Sequence, residues 1–183
     1  DLVFGGPPCQ AFSVAGKMDL HDPRAKLVET FMQVVSIVKP KIFIMENVKA
    51  LASLTKFSAV RADLIRLANQ YDYSVDLSVQ NSKDFGVPQA RERMFLVGVK
   101  GGNSFELDRY ITKYKKEEMS SRQALMKLGK EGTDINPKTC NAAVTLASNP
   151  IMRKSPYAGM LFNGAGRPIN PAKPAPTLPA SMG

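Results

Sequence analysis

The chain has 183 residues, with 25 Lys and Arg against 16 Asp and Glu, for a net charge of +9. Its 44% hydrophobic and 22% charged residues are an ordinary globular balance that excludes wholesale disorder, and the length suits one domain, or one domain and part of another. Two cysteines cannot build a disulfide framework, and no window approaches the ~18–20 apolar residues of a membrane span, so the expected setting is cytoplasmic and the basic excess favours a polyanionic partner. In chain order, Leu2-Val3-Phe4 is a short apolar strand halted by Gly5-Gly6-Pro7-Pro8. Leu27, Val28, Phe31, Met32, Val34, Val35 and Val38 recur at helical spacing from Ala25 to Val38, with Asp22-Pro23 as the entry and Pro40 as the stop. Lys41 to Met45 reads as a strand buried on both faces. A second helix is expected from Phe57 to Asn69. Val75, Leu77 and Val79 alternate with polar residues as a half-buried strand, and Met94 to Val99 forms another. This alternation predicts an α/β fold, with a parallel sheet, crossover helices and an antiparallel element near its end.

Beyond Gly101-Gly102 the pattern changes. Lys113 to Leu128 reads as a charged helix, and eight of the 13 prolines fall between Pro137 and Pro179, which excludes long regular elements there. The first 100 residues hold 13 basic and 10 acidic groups and the remainder 12 and 6, so the loop-rich part carries most of the positive excess. Neither end of the chain closes a domain, so an internal piece of a longer protein is expected.

In a parallel sheet the loops after the strands' carboxyl ends share one crevice, where ligands bind. The loop after the first strand runs Gly5-Gly6-Pro7-Pro8-Cys9-Gln10-Ala11-Phe12-Ser13, and the loop after the next strand is expected to start with Glu46-Asn47-Val48. If these strands are neighbours, Cys9 and Glu46 meet at one edge. Paired prolines fix the backbone before a cysteine, as a thiolate nucleophile requires, although an isolated cysteine is more often inert packing. A glutamate ending an apolar strand needs a partner or a task. Gln89, Arg91 and Arg93 alternate before the strand from Met94, so an extended chain would turn all three to one face, suited to phosphate or a carbonyl-bearing base. Cys140 and His21 carry no such context, and Gly164-Ala165-Gly166 lacks the third glycine and following helix of a phosphate loop.

The Gly5–Ser13 loop, Glu46-Asn47-Val48 and Gln89-x-Arg91-x-Arg93 resemble, in order and spacing, three signature motifs of the cytosine-5 DNA methyltransferases, over about the first 100 residues. Ser155 to Gly183, with Tyr157-Ala158-Gly159-Met160-Leu161-Phe162-Asn163-Gly164 and Pro176-Thr177-Leu178-Pro179, is similar to the target-recognition region of bacterial modification methylases. The resemblance implies part of a doubly wound, mostly parallel Rossmann-like methyltransferase sheet, followed by the start of a small loop-rich target-recognition domain. It divides the chain into a catalytic region at 1–100, a connecting segment at 101–132 and a partial recognition domain at 133–183. It implies methyl transfer from S-adenosylmethionine to carbon 5 of a cytosine flipped out of double-stranded DNA, without a metal. Cys9 would be the nucleophile that adds to carbon 6. Glu46 would hold ring nitrogen 3 and the exocyclic amine while carrying or sharing a proton, and Arg91 and Arg93 would orient the base. Asn47 and Gln89 would support the site, Pro8, Gln10 and Leu27 would touch S-adenosylmethionine, and Ser13, Lys17 and Arg24 would meet DNA phosphates from a loop at 10–26. The family's glycine-rich cofactor loop and its final motif have no counterpart here, so a second chain or further segments are expected to supply the cofactor-binding half, and this chain alone is expected to be inactive. A tRNA cytosine methyltransferase and a non-catalytic DNA-binding fragment are the alternatives; Ala11-Phe12-Ser13 and the recognition-like region favour DNA.

Overall fold

A computed structural model describes residues 1–8, 12, 26–129, 133–134, 152–154, 161–163 and 169–177. The chain divides into two compact units, one made of Asp1–Asn81 and Glu92–Lys115, the other of Ser82–Arg91 and Lys116–Gly183.

In the first unit, β1 (Leu2–Gly5), β2 (Ile42–Val48), β3 (Tyr73–Asn81) and the later strand β5 (Glu92–Lys100) form one sheet in the order β1-β2-β5-β3. β1 and β2 pair in parallel from Leu2 opposite Ile42 to Gly5 opposite Met45, so the expected neighbours are neighbours. β5 runs antiparallel to both β2 and β3. Three of the four strands therefore point one way, and the antiparallel element is inserted between β2 and β3. Helix α1 (Leu27–Val38) ends where Lys39 turns left-handed at φ 50° and donates its N–H to the Val35 carbonyl, directly before Pro40. Its expected entry at Asp22-Pro23 lies outside the described residues. After β2 come the short helix α2 (Lys49–Ser53), a 3-10 turn at Thr55–Phe57, and α3 (Ser58–Gln70).

One face of the sheet is the core. The cross-strand register puts Val3, Phe43 and Gly98 in one row and Gly5, Met45 and Leu96 in the next. Against them pack Val28, Met32 and Val35 of α1, Leu51 of α2, Phe57, and Leu64 and Ala68 of α3, all buried. Gly98 is dictated by contact: an added Cβ would sit 2.1 Å from the Phe43 ring. That ring also meets Phe31 and Tyr73 edge-on, at 6.1 and 5.1 Å.

The opposite face corrects the expectation that the second strand is buried on both sides. Phe43, Met45 and Asn47 are buried, but the alternate residues are not: Ile42 is 38% exposed, and beside it on β1 Leu2 and Phe4 are 59% and 65% exposed. Among the described residues nothing covers this side near β1. Near β3 it is covered by α4 (Leu107–Ile111), held by polar contacts. The Ser78 hydroxyl and the Gln80 amide donate to Asp108 at 2.6 and 2.7 Å, and Asp76 accepts the Leu107 N–H at 2.8 Å.

The expected charged helix from Lys113 to Leu128 is also corrected. A 3-10 turn at Thr112–Tyr114 ends by Lys115, and α5 begins only at Ser121 and closes at Leu125. Ser120 starts α5 with a reciprocal capping box to Gln123, and the stretch before it has no apolar stripe to pack a longer helix. α5 belongs to the second unit. There β4 (Gln89–Ala90) pairs in parallel with β8 (Ala175–Pro176), and β6 (Met152–Lys154) pairs antiparallel with β7 (Leu161–Asn163). Among the described residues no helix is long and apolar enough to cross a membrane.

Candidate active site

Glu46-Asn47-Val48 was expected to begin a loop. Instead β2 runs on through Val48, because the antiparallel partner β5 continues its ladder: Glu46 lies opposite Phe95, Asn47 opposite Met94 and Val48 opposite Arg93. Strand geometry then gives the three residues opposite tasks. Asn47 turns to the core face, where it is 1% exposed; Glu46 and Val48 turn to the other.

Arg93 stands across from Val48, so its side chain leaves the sheet on the same face as Glu46, one diagonal step away. Its Nε donates to Glu46 Oε1 at 2.9 Å, in a pair whose side chains are 20% and 29% exposed. This partly sheltered pair sets the orientation of the carboxylate. The other oxygen, Oε2, lies against the loop after β1: a Cβ added to Gly6 would stand 3.1 Å from it, so the backbone approaches the carboxylate at a distance only glycine permits without displacement. Just beyond the strand end, Lys49 and Glu92 form an exposed ion pair at 2.8 Å.

Asn47 reaches the same loop from the core side. Its Nδ2 donates to the Pro7 carbonyl at 3.1 Å, and its Oδ1 accepts the Val48 N–H at 2.9 Å. The loop is met again at Phe12, which is fully buried and packs edge-on against Phe57 at 5.2 Å. Cys9, between these two contacts in sequence, lies outside the described residues, as do Gln10, Ser13, Lys17, Arg24, His21 and Cys140. Pro8 is exposed at the end of the described part of the loop, and Leu27, the first residue of α1, is 38% exposed. Both present apolar surface to solvent.

The run from Gln89 to Arg93 is carried by two strands with Arg91 between them, and the division between units falls after Arg91. Within the second unit, Ser82 ties this run together: its N–H donates to the Arg91 carbonyl at 3.0 Å and its hydroxyl to the Gln89 carbonyl at 2.6 Å. The Thr177 hydroxyl donates to the Ala90 carbonyl at 3.0 Å, so the Pro176-Thr177 stretch braces Gln89–Ala90 directly. Sequence reasoning marked the glycine pair as a place of close approach but missed Phe12, Phe57 and Lys49 as parts of this arrangement.

The sequence matches the family profile of C-5 cytosine-specific DNA methylases over residues 1–165. It is 46% identical over 114 residues to the type II methyltransferase M.AquIA of Picosynechococcus sp., a match covering 58% of this chain and 46% of that protein. To M1.HphI of Haemophilus parahaemolyticus, also a type II methyltransferase, it is 43% identical over 105 residues, covering 56% and 28%. Among solved structures, a candidate DNA modification methyltransferase encoded within an E. coli prophage superposes with a TM-score of 0.57 at 28% identity, covering 84% of this chain and 40% of that one. The matched segment thus spans less than half the length of these relatives.

Proposed function

Because the chain belongs to the C-5 cytosine-specific DNA methylase family, we propose that it carries the base-binding and nucleophile-bearing part of a DNA (cytosine-5-)-methyltransferase, the modification enzyme of a restriction system. Carbon 5 of cytosine is too poor a nucleophile to take a methyl group unaided. The Cys9 thiolate would add to carbon 6, forming an S–C bond and shifting the ring's electron pair to carbon 5. Carbon 5 then takes the methyl group of S-adenosylmethionine, whose methyl–sulfur bond breaks to leave a neutral thioether. Loss of the carbon 5 proton and expulsion of the Cys9 sulfur restore the ring. Glu46 would bind ring nitrogen 3 and the exocyclic amine, offsetting the charge that the thiolate brings to the ring. Arg93 would hold Glu46 and steer the base; by the family resemblance Arg91 would also orient the base and Gln89 would support the site. Pro8, Gln10 and Leu27 would line the methyl donor, and Ser13, Lys17 and Arg24 would bind DNA phosphates.

The observation that carries this reading is the Glu46 carboxylate held at 2.9 Å by Arg93 while its second oxygen faces Gly6, three residues before the only cysteine in the loop. Three residues span at most about 11 Å of backbone, which bounds how far the Cys9 backbone can lie from Gly6.

The cofactor-binding half would come from further chain or a second subunit. Its docking surface would be the β1 side of the sheet. β1 is an edge strand without a charged residue, and Leu2 and Phe4 present the exposed apolar face described above. Edge strands left to solvent are normally short, charged or covered. α1 repeats the pattern, with Ile37 79% exposed opposite its core side and Val38 55% exposed on its flank.

The test is covalent trapping by the enzyme together with its cofactor-binding half. Duplex DNA carrying 5-fluorocytosine and S-adenosylmethionine should yield a denaturation-resistant adduct, because fluorine cannot leave as the carbon 5 proton does. Cys9→Ser should abolish the adduct while leaving DNA binding measurable. Binding without an adduct would mark a non-catalytic DNA-binding fragment, and an adduct formed only with tRNA would move the activity to RNA.

A further inference from the structure

Where β2 ends, a circuit of polar contacts runs from Glu46 back to its own strand. Arg93 Nε donates to Glu46 Oε1 at 2.9 Å, and Nη1 of the same guanidinium donates to the Glu92 carbonyl at 2.8 Å. The Glu92 carboxylate in turn accepts from the Lys49 ammonium at 2.8 Å. Lys49 follows Glu46 by three positions, so the circuit closes through Asn47 and Val48. All of these groups belong to the first unit.

The register explains why the ion pair forms there. Val48 opposite Arg93 is the last rung between β2 and β5, and one rung further would set Lys49 opposite Glu92. β2 instead gives way to α2 at Lys49, so the ion pair stands where the next rung would be. Helix formation does not account for the lysine, because a cation in the first turn opposes the helix dipole. Folding stability does not account for it either: the two side chains are 48% and 44% exposed, and pairs so exposed contribute little. What the pair does is local. Glu92 and Arg93 are neighbours in β5, so their side chains leave the strand on opposite faces. Lys49 holds the strand end from one face, while on the other the guanidinium is braced on the Glu92 carbonyl and reaches Glu46.

We infer that Lys49 is a positioning residue for the base-binding carboxylate: by fixing Glu92 it fixes the carbonyl that braces Arg93, and so the direction from which Arg93 meets Glu46. The inference rests on the proposed role of Glu46 in holding the base. A planar guanidinium held at one nitrogen can pivot about that contact; held at two, on a carboxylate and a carbonyl, its plane is set. A pair that adds little to folding can still matter to rate, because the reacting groups tolerate only small displacements.

The test uses the enzyme complete with its cofactor-binding half. Single-turnover methyl transfer at saturating duplex DNA reads the chemistry, and DNA titration reads binding. Lys49→Met keeps the aliphatic stem and removes the charge. It should slow transfer roughly five- to twentyfold, less than the hundredfold that about 1 Å of misplacement can cost, because the contact of Arg93 with Glu46 survives. Glu92→Met should do the same, and the double variant should be no slower than the slower single one, since both remove a single interaction. Lys49→Arg should recover most of the rate. The Kd for DNA should stay within about threefold in every variant, and the melting temperature should move by less than about 3 °C. A rate for Lys49→Met within about twofold of the parent overturns the inference. So do additive effects of the two single substitutions, or weaker DNA binding with the rate spared, which would make Lys49 a phosphate ligand. A rate loss matched by loss of folded protein would make the pair merely structural. Methyl transfer by Glu46→Gln at the parent rate would instead refute the proposed role of Glu46, so the two failures are distinct.

Discussion

Replacing Asn47 by Ala removes the side chain that, among the described residues, joins the Glu46 strand to the loop after β1 by a hydrogen bond. Asn47 is 1% exposed and makes two such bonds, to Pro7 at 3.1 Å and from Val48 at 2.9 Å. Each is worth about 1 kcal/mol net, and leaving a partner without its bond in a sheltered place adds roughly 1 kcal/mol more. The sum is a loss of about 3 kcal/mol, which for a chain of this size lowers the melting temperature by roughly 6–12 °C. Asn47→Asp separates the two bonds. It keeps an acceptor for Val48 but sets a buried carboxylate oxygen against the Pro7 carbonyl, two acceptors facing each other, so it should destabilise at least as much as Ala. Thermal and urea denaturation of the three proteins, followed by the rate of adduct formation on 5-fluorocytosine DNA, checks both parts. A melting temperature for Asn47→Ala within about 1 °C of the parent, with an unchanged adduct rate, would refute the reasoning. The loop would then be placed by something other than this side chain.

Gly98→Ala should cost about 3 kcal/mol or more in urea denaturation, because its Cβ would come within 2.1 Å of a Phe43 ring wedged between Phe31 and Tyr73; Phe43→Leu in the same chain should recover part of the loss. Tyr73→Phe should cost about 1 kcal/mol at neutral pH, by losing the hydroxyl bond to the Pro40 carbonyl at 2.6 Å. Burial raises the Tyr73 pKa above its ordinary value of 10.0, so the folded chain holds that proton more tightly than the unfolded chain. The stability this confers is present below pH 10 and lost as pH rises past it, so the gap between parent and Tyr73→Phe should shrink or reverse in alkaline urea titrations. Arg93→Lys keeps the charge but loses the planar guanidinium that contacts Glu46 at 2.9 Å; it should fold with stability within about 1 kcal/mol of the parent, yet slow adduct formation at least about tenfold. An unchanged rate would remove Arg93 from the proposed site.

Local pattern carried far along this chain because its first 100 residues alternate cleanly. β1, α1, β2, α3, β3 and β5 all stand where apolar spacing put them, with ends displaced by a few residues. The misplaced ends have a common cause. β2 runs through Glu46-Asn47-Val48 because β5 lies beside it, and no property of those three residues announces a partner some 47 positions later. The helix expected from Lys113 to Leu128 failed for the converse reason: a charged stretch with helical propensity has no face to bury, and the capping box at Ser120 starts a new element instead.

Composition and motif order alone determined the α/β class and the family, since these rest on residue types at fixed spacing. Tertiary structure decided which groups touch. Arg93 reaches Glu46 only because antiparallel register sets it one diagonal step away on the same face, and Phe57 meets Phe12 only because two connections fold into one core. Such contacts depend on strand order and packing, which are collective properties of the folded chain, and a local run of side chains does not encode them.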